Sequence, residues 1–406
     1  MNNKLTKDSF LGNIRQYTML LALGIIILFF YWLTNGKLLV PMNVSNLIAQ
    51  NAYVVILATG MLICILTGGN IDLAVGSVVA LIGACAASMI ITMGWNIYLS
   101  VALCVMIGIA IGAWQGFWIA YVRIPAFIVT LSGMLVFRGI TLIILNGLTI
   151  APFPQEYLMY SNGFMNGFFG NIELLGMSVD LFSVLVGVLL VVLMCGAQIL
   201  TRSSKKSKGY PVEGMGVLFV RLIVMSATII ALFVTLARYK GIPTVLVILG
   251  VLLLVYSYLT QNTVMGRHIY ALGGNEKAAR LSGVKTKRLL FLAYVNMSML
   301  AAVAGLVFAA RLNSASPQAG QSFELDAIGA CYIGGASAYG GIGTVPGTLI
   351  GALIMGVLNN GMSIAGVNSN VQQVVKGLVL LAAVAFDVIS KQHVITLPKF
   401  LKFKKG

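Results

Sequence analysis

Eleven stretches of this chain are long enough and apolar enough to cross a lipid bilayer as helices. They lie near 17–34, 47–67, 73–92, 97–118, 126–146, 181–200, 217–237, 244–261, 289–310, 345–365 and 371–389. A helix rises about 1.5 Å per residue, so roughly 20 residues span a ~30 Å hydrocarbon core. A twelfth segment, 327–343, is short and rich in glycine, and reads as a crossing, a dip or a re-entrant loop. The runs lack the alternating pattern of a lipid-facing barrel, so strands are not a rival. Of the 406 residues, 59% are apolar and 9% charged, and no single water-soluble core hides that much apolar surface. The expectation is an all-α polytopic membrane protein, 1–406 forming one transmembrane domain of about ten to twelve helices.

Charge orients the helices. Lys and Arg favour cytoplasmic loops. With the N-terminus inside and twelve crossings, the inside positions are Lys4, Lys7, Arg15, Arg123, the basic residues of 201–216 and 262–288, and those of the C-terminal tail. That makes 19 inside, against Lys37, Arg238, Lys240 and Arg311 outside. Both termini are therefore expected in the cytoplasm, in a multi-pass protein of the cytoplasmic (inner) membrane. The +16 net charge then reflects topology and contact with membrane lipid. No basic stripe has interleaved aromatics, so no nucleic-acid partner is expected.

Several chemistries lack their residues. No G-x-x-x-x-G-K-[ST] phosphate loop is present. The cysteines stand singly in apolar segments, and His268 and His393 have no metal partners at helical spacing. The ten acidic residues form no catalytic cluster. The chain is read as a conduit with no catalytic residue, metal or cofactor.

Two segments break the apolar pattern. Irregular backbone at membrane depth is tolerated only where protein buries it or a cavity wets it. The first segment, Gly68-Gly69-Asn70-Ile71-Asp72 to Ser77, joins two spans with almost no polar loop. Asn70 or Asp72 either caps the next helix or, with Gly69, walls a transport path. The two readings are compatible. The second segment runs from Gly334 to Gly343, where glycines admit close helix packing or mark a substrate route. Arg138 lies mid-span and needs an anion or a wet cavity, with Asp72 as one candidate partner. Arg221, Lys376 and Asp387 sit nearer span ends and are read as reaching the interface. Glu324 and Asp326 precede an apolar run and are placed facing outside. Asn359 and Asn360 serve as interhelical glue or path lining, with glue preferred.

Loop 262–288 is the most informative polar stretch. Asn275 is an N-cap, Glu276 suits the positive helix end, and Gly283 is a stop. A helix over 276–282 follows, too short to persist without packing. This loop resembles the cytoplasmic coupling segment of permease subunits from bacterial monosaccharide ABC importers, the ribose, galactose and xylose group. The resemblance continues through Gly68 to Ser77, Arg123-Ile124-Pro125-Ala126 to Leu131 with Gly133 and Arg138-Gly139, and Glu324 to Ile328. The extra spans at 181–240 read as a two-helix insertion and are most similar to xylose and multiple-sugar permeases.

The resemblance implies a fold similar to cobalamin-importer permeases, with inverted helical repeats. It implies two ATP-binding subunits, a second permease copy and an extracytoplasmic sugar-binding protein. It also implies that Asn275, Glu276, Ala278, Ala279, Arg280, Leu281, Ser282 and Gly283 meet the ATPase. Gly69, Asn70, Asp72, Arg138 and Asn359 are the residues assigned to the path. The rival function is an ion-coupled secondary transporter, for which the chain offers few titratable or cation-coordinating groups. A membrane enzyme would need a catalytic cluster that is missing. Dependence of uptake on a partner ATPase, with survival in an uncoupler, separates the first two.

Overall fold

The structure, a computed structural model, describes residues 19–174, 177–210, 212 and 214–392. The tail residues Lys4, Lys7, Arg15, His393, Lys399, Lys402, Lys404 and Lys405 lie outside the described residues. In chain order the helices are α1 (Met19–Leu33), α2 (Pro41–Leu66), α3 (Val75–Ala87), α4 (Ile97–Phe117), α5 (Ala126–Leu145), α6 (Gln155–Asn162), α7 (Leu181–Ser207) and α8 (Met215–Ala237). They continue with α9 (Thr244–Asn262), α10 (Val264–Gly274), α11 (Glu276–Leu281), α12 (Thr286–Leu312), α13 (Phe323–Ile333), α14 (Val345–Ile364) and α15 (Ser369–Gln392). Ten of these, α3 and α4 with their π-helical ends included, are long and apolar enough to cross a membrane, and α1 is a shorter apolar helix.

The α2 helix begins earlier than the hydropathy pattern indicates. Pro41 supplies a pre-set φ at its first turn, and the polar Asn43 is satisfied by Asn360 across the bundle at 2.9 Å. Two small antiparallel strand pairs, β1 (Phe164–Met165) with β4 (Ile242–Pro243) and β2 (Asn171–Leu174) with β3 (Met177–Asp180), were not expected from the apolar runs. Asp180 ends β3 and caps α7 by accepting from Ser183 N at 2.9 Å.

Two helices form the centre. The α2 and α12 helices run antiparallel: Tyr53 packs on Phe308, the Gly60 position abuts Met297 and Leu300, and Cys64 Sγ reaches Ala293 O. Each then receives the helix that follows the other. On α12 lies α3, with Gly305 against Val79 and Gly83 beside Ala309. On α2 lies α13, with Asp326 bonded to Tyr53 and Cys331 to Ala58 O. Likewise α4 packs antiparallel to α12 through Gly108, Gly112 and Gly116, and α14 antiparallel to α2 through Gly356 and Asn360. The same plan is thus used twice in opposite directions. Small residues at these crossings let the backbones approach, because lipid gives helices no hydrophobic reason to pair.

The periphery is different. In its most apolar stretch α2 is 83% buried, whereas α7 is 6% and α8 11% buried, so this hairpin packs mainly on itself. The two faces of the bundle are distinguished by contact. Asn162 bonds the carbonyl of Ala310 near the end of α12, and β1 pairs with β4, so the start of α7 and the end of α8 lie on that side. The loop joining α7 to α8 therefore shares the opposite, basic side with α10, α11 and Arg123.

Candidate functional site

The two glycine-rich segments meet. The α2 helix ends at Leu66, and 67–74 turns back before α3; α13 ends at Ile333, and 334–344 turns before α14. Segment 327–343 is thus half helix and half irregular backbone. A Cβ at Gly69 (φ +75°) would collide with Ala338 O, and one at Gly340 (φ +86°) would sit 2.5 Å from Gly68 Cα. Only glycine combines that left-handed φ with so close an approach. Gly341 N donates to Leu66 O at 3.2 Å, closing the junction.

A third element joins them from the basic side. A Cβ at Gly273, in the last turn of α10, would clash with Leu66 O and lie 2.5 Å from Gly341 N. Tyr270 Oη donates to Gly343 O at 2.7 Å. Asp387, on α15, accepts from Ala338 N at 3.1 Å. The ten residues 334–343 are therefore held by α2, α10 and α15 together.

Beyond α10, the short helix α11 forms as its cap residues dictate. Asn275 Oδ1 accepts from Ala278 N at 3.0 Å, and Gly283 follows the end. Arg123 pairs with Glu276 at 2.7 Å, fixing α11 to the turn between α4 and α5. The hydrogen bond from Arg123 holds the Glu276 carboxyl below its ordinary value. Ala279 is buried against its own chain, whereas Ala278, Arg280, Ser282 and Gly283 are exposed and Leu281 is 87% exposed. The preceding helix α10 was not expected, because its glycines at both ends disguise an amphipathic turn that buries Ile269 and Leu272.

The residues assigned to the path are placed as follows. Asp72 is completely buried and its Oδ1 accepts from Ala74 N at 2.8 Å, a turn within the entry to α3 rather than a cap on the helix itself. Asn70 Nδ2 bonds back to Thr67. Arg138 does not pair with Asp72: its guanidinium donates to Pro317 O at 2.8 Å and Ala319 O at 2.7 Å. Segment 313–322 returns toward the start of α3, where Gly320 and Gly76 meet backbone to backbone, and Arg138 satisfies carbonyls that this irregular stretch exposes. Asn359 is buried, while its neighbour Asn360 bonds Asn43 and Gln50, which is interhelical glue.

Three charged residues depart from the sequence reading. Asp326 does not face outside; it is buried, accepting from Tyr53 Oη at 2.9 Å and pairing with Lys376 at 3.0 Å. Lys376 accordingly points into the protein rather than to the interface, and Asp387 does so too. The helical wheel of α15 has its exposed apolar side elsewhere, and burial of the charges follows from their being paired. Tyr53, stacked on Phe323 with centroids 3.7 Å apart, carried no polar signal in the sequence. Among the described residues no group of His, Cys, Asp or Glu is arranged to hold a metal ion.

Comparison with known proteins gives a consistent assignment. The family model described as "Branched-chain amino acid transport system / permease component" matches residues 43–384. The xylose transport system permease protein of Escherichia coli K12 is 38% identical over 94% of this chain and 93% of its own length. That of Haemophilus influenzae Rd is 36% identical over 94% of this chain and 98% of its own. The ribose import permease protein of Escherichia coli K12 is 37% identical over 85% of each chain. No solved structure matches.

Proposed function

The chain belongs to the branched-chain amino acid transport system / permease component family, and we propose that it is the non-catalytic transmembrane subunit of an ATP-driven ABC importer whose cargo is a pentose, xylose first. The xylose reading is supported by relatives that align over nearly the full length, whereas the ribose relative aligns over 85%. It agrees with reading the α7–α8 pair as an insertion beyond the ribose-type pattern.

In this reading the basic side, and with it both termini, faces the cytoplasm of a cell bounded by this inner membrane. Two copies of the permease flank the route, an extracytoplasmic binding protein delivers the sugar, and two ATP-binding subunits dock on α11. Specificity rests mainly with the delivering protein. The observation that carries the coupling is the wedging of Gly273 between Leu66 and Gly341. A push on α10–α11 is transmitted directly to the ends of α2 and to 334–343, because backbone-to-backbone contacts have no side chain to yield. ATP-dependent motion moves the equilibrium only if the ATPase contacts α11 differently in its two states.

Reconstitution in proteoliposomes tests the proposal. Xylose uptake is expected to require ATP, the partner ATPase and the binding protein, and to survive a protonophore. Uptake that needs no ATP and collapses with the ion gradient would establish an ion-coupled transporter instead. Uptake driven as described but selective for another solute would overturn only the sugar.

A further inference from the structure

We propose that the basic-side end of α7 carries a binding site for the phosphate headgroup of an anionic membrane lipid. A cavity of about 720 Å³ opens there, lined by Leu200, Thr201, Ser204, Lys205, Lys208 and Tyr210. The proposal is independent of the cargo and of the ATPase.

The site is built by how α7 ends. Tyr210 N donates to Lys205 O at 3.0 Å and Gly209 N to Lys206 O at 3.1 Å, the paired bonds of a Schellman turn. That turn folds Tyr210 back beside the helix it has just left, making the wall opposite Leu200 and Thr201. It also occupies the terminal carbonyls. Lys208 N and Ser207 Oγ both reach Ser204 O, so the partial negative charge at this helix end is answered by the backbone and a hydroxyl. Lys205 and Lys208 both line the cavity, and the described residues of its lining include no carboxylate. Thr201 turns its hydroxyl onto Ala197 O, and Ser204 and Tyr210 complete the polar lining.

The choice of a lipid over a soluble anion comes from what adjoins the cavity. Few residues of α7 are fully buried, and Ile199 (52% exposed) and Leu200 (71% exposed) continue the apolar surface up to the rim. An acyl chain lying along α7 places its headgroup at Lys205 and Lys208, at the depth where basic residues meet anionic lipid. A free phosphate would gain nothing from that apolar approach.

Native mass spectrometry of the full-length protein in detergent, titrated with phosphatidylglycerol, phosphatidylcholine or inorganic phosphate, tests the site. The wild type should retain phosphatidylglycerol in preference to phosphatidylcholine, with no displacement by equimolar phosphate. The double substitution K205Q/K208Q should weaken that retention about thirtyfold, a factor of about five for each lysine. K205R/K208R should restore it, and R238Q/K240Q, which removes the same charge on the opposite side, should leave it unchanged. Equal retention of the two lipids, equal loss in both charge-removing variants, or displacement by inorganic phosphate would each overturn the proposal. Thermal unfolding of every variant confirms that the comparison is between folded proteins, and the arginine variant keeps the test decisive if the glutamine variant does not fold.

Discussion

The junction of α10 with the two glycine turns supports a sharp test, because two adjacent glycines have opposite surroundings. In Gly273→Ala the new methyl would overlap Leu66 O and lie 2.5 Å from Gly341 N, both of them backbone atoms. No rotamer change relieves that contact, so α10 must withdraw from the end of α2. The bond from Gly341 N to Leu66 O is expected to break with it. Overpacking of this kind costs about 1–3 kcal/mol and the lost bond about 0.5–1.5 kcal/mol. Alanine's better helix propensity returns about 1 kcal/mol at most. The balance is a loss of about 1–3 kcal/mol at the joint, a shift of roughly fivefold to a hundredfold or more in its docked population. Gly274, one residue on, has nothing within 4 Å of its Cβ position, so Gly274→Ala should change stability by less than about 0.5 kcal/mol. The assay is ATP-driven uptake in proteoliposomes alongside ATPase turnover. Gly273→Ala should keep its ATPase partner and hydrolyse ATP while importing little sugar, and Gly274→Ala should behave as wild type. If the two variants are indistinguishable, the joint does not transmit motion and the coupling argument fails.

Three further predictions rest on other contacts. Lys376→Met strands the buried Asp326 carboxylate, which should cost about 3–5 kcal/mol, and adding Asp326→Leu should recover much of it; an unchanged melting temperature in K376M would show that the pair carries no weight. Arg123→Gln removes a half-exposed pair worth at most about 1 kcal/mol. Because Arg123 lowers the folded-state value of Glu276, that stability is present above the unfolded carboxyl's ~4.3 and lost as pH falls through the lower folded value; a melting difference that does not shrink as pH is lowered progressively below ~4.3 would contradict this. Leu281→Ala, which removes an exposed side chain and no internal contact, should weaken co-purification of the ATPase without altering thermal stability, whereas Ala279→Trp should disturb the packing of α11 itself. Full ATPase retention by L281A would move the docking surface elsewhere.

The crossings were legible because bilayer thickness imposes a length on apolar runs that sequence shows directly. The α11 helix was legible for the same kind of local reason, since Asn275, Glu276 and Gly283 are cap residues whose preferences do not depend on the rest of the fold. What failed was pairing. Arg138 was read as needing an anion or a wet cavity, with Asp72 one candidate, but its hydrogen bonds go to the carbonyls of Pro317 and Ala319, which no side-chain pattern advertises. Lys376 and Asp387 were assigned to the interface from their place along α15. Their burial depends on Asp326 and on the backbone of Ala338, each far away in sequence. Ala279, grouped with its neighbours as meeting the ATPase, is buried against its own chain, and no local signal in the sequence separates it from the exposed Ala278.

Why should the same glycines that pack this bundle also carry its motion? Helices in lipid hold together by close approach and by a few polar ties, since burial from water contributes little between them. At the basic side both devices converge on residues 334–343. Glycine contacts join the segment to α2 and α10, and the hydrogen bonds of Tyr270 and Asp387 tie it to α10 and α15. A displacement of α10 therefore reaches α15, at the edge of the bundle, through a segment that is not helical and can change its backbone angles without unwinding a helix. Among the described residues the α7–α8 hairpin meets the core chiefly at α2 and the strand region. If the ATPase docks on α11 as proposed above, force applied there is expected to reach α15 through residues 334–343, the segment tied to both α10 and α15.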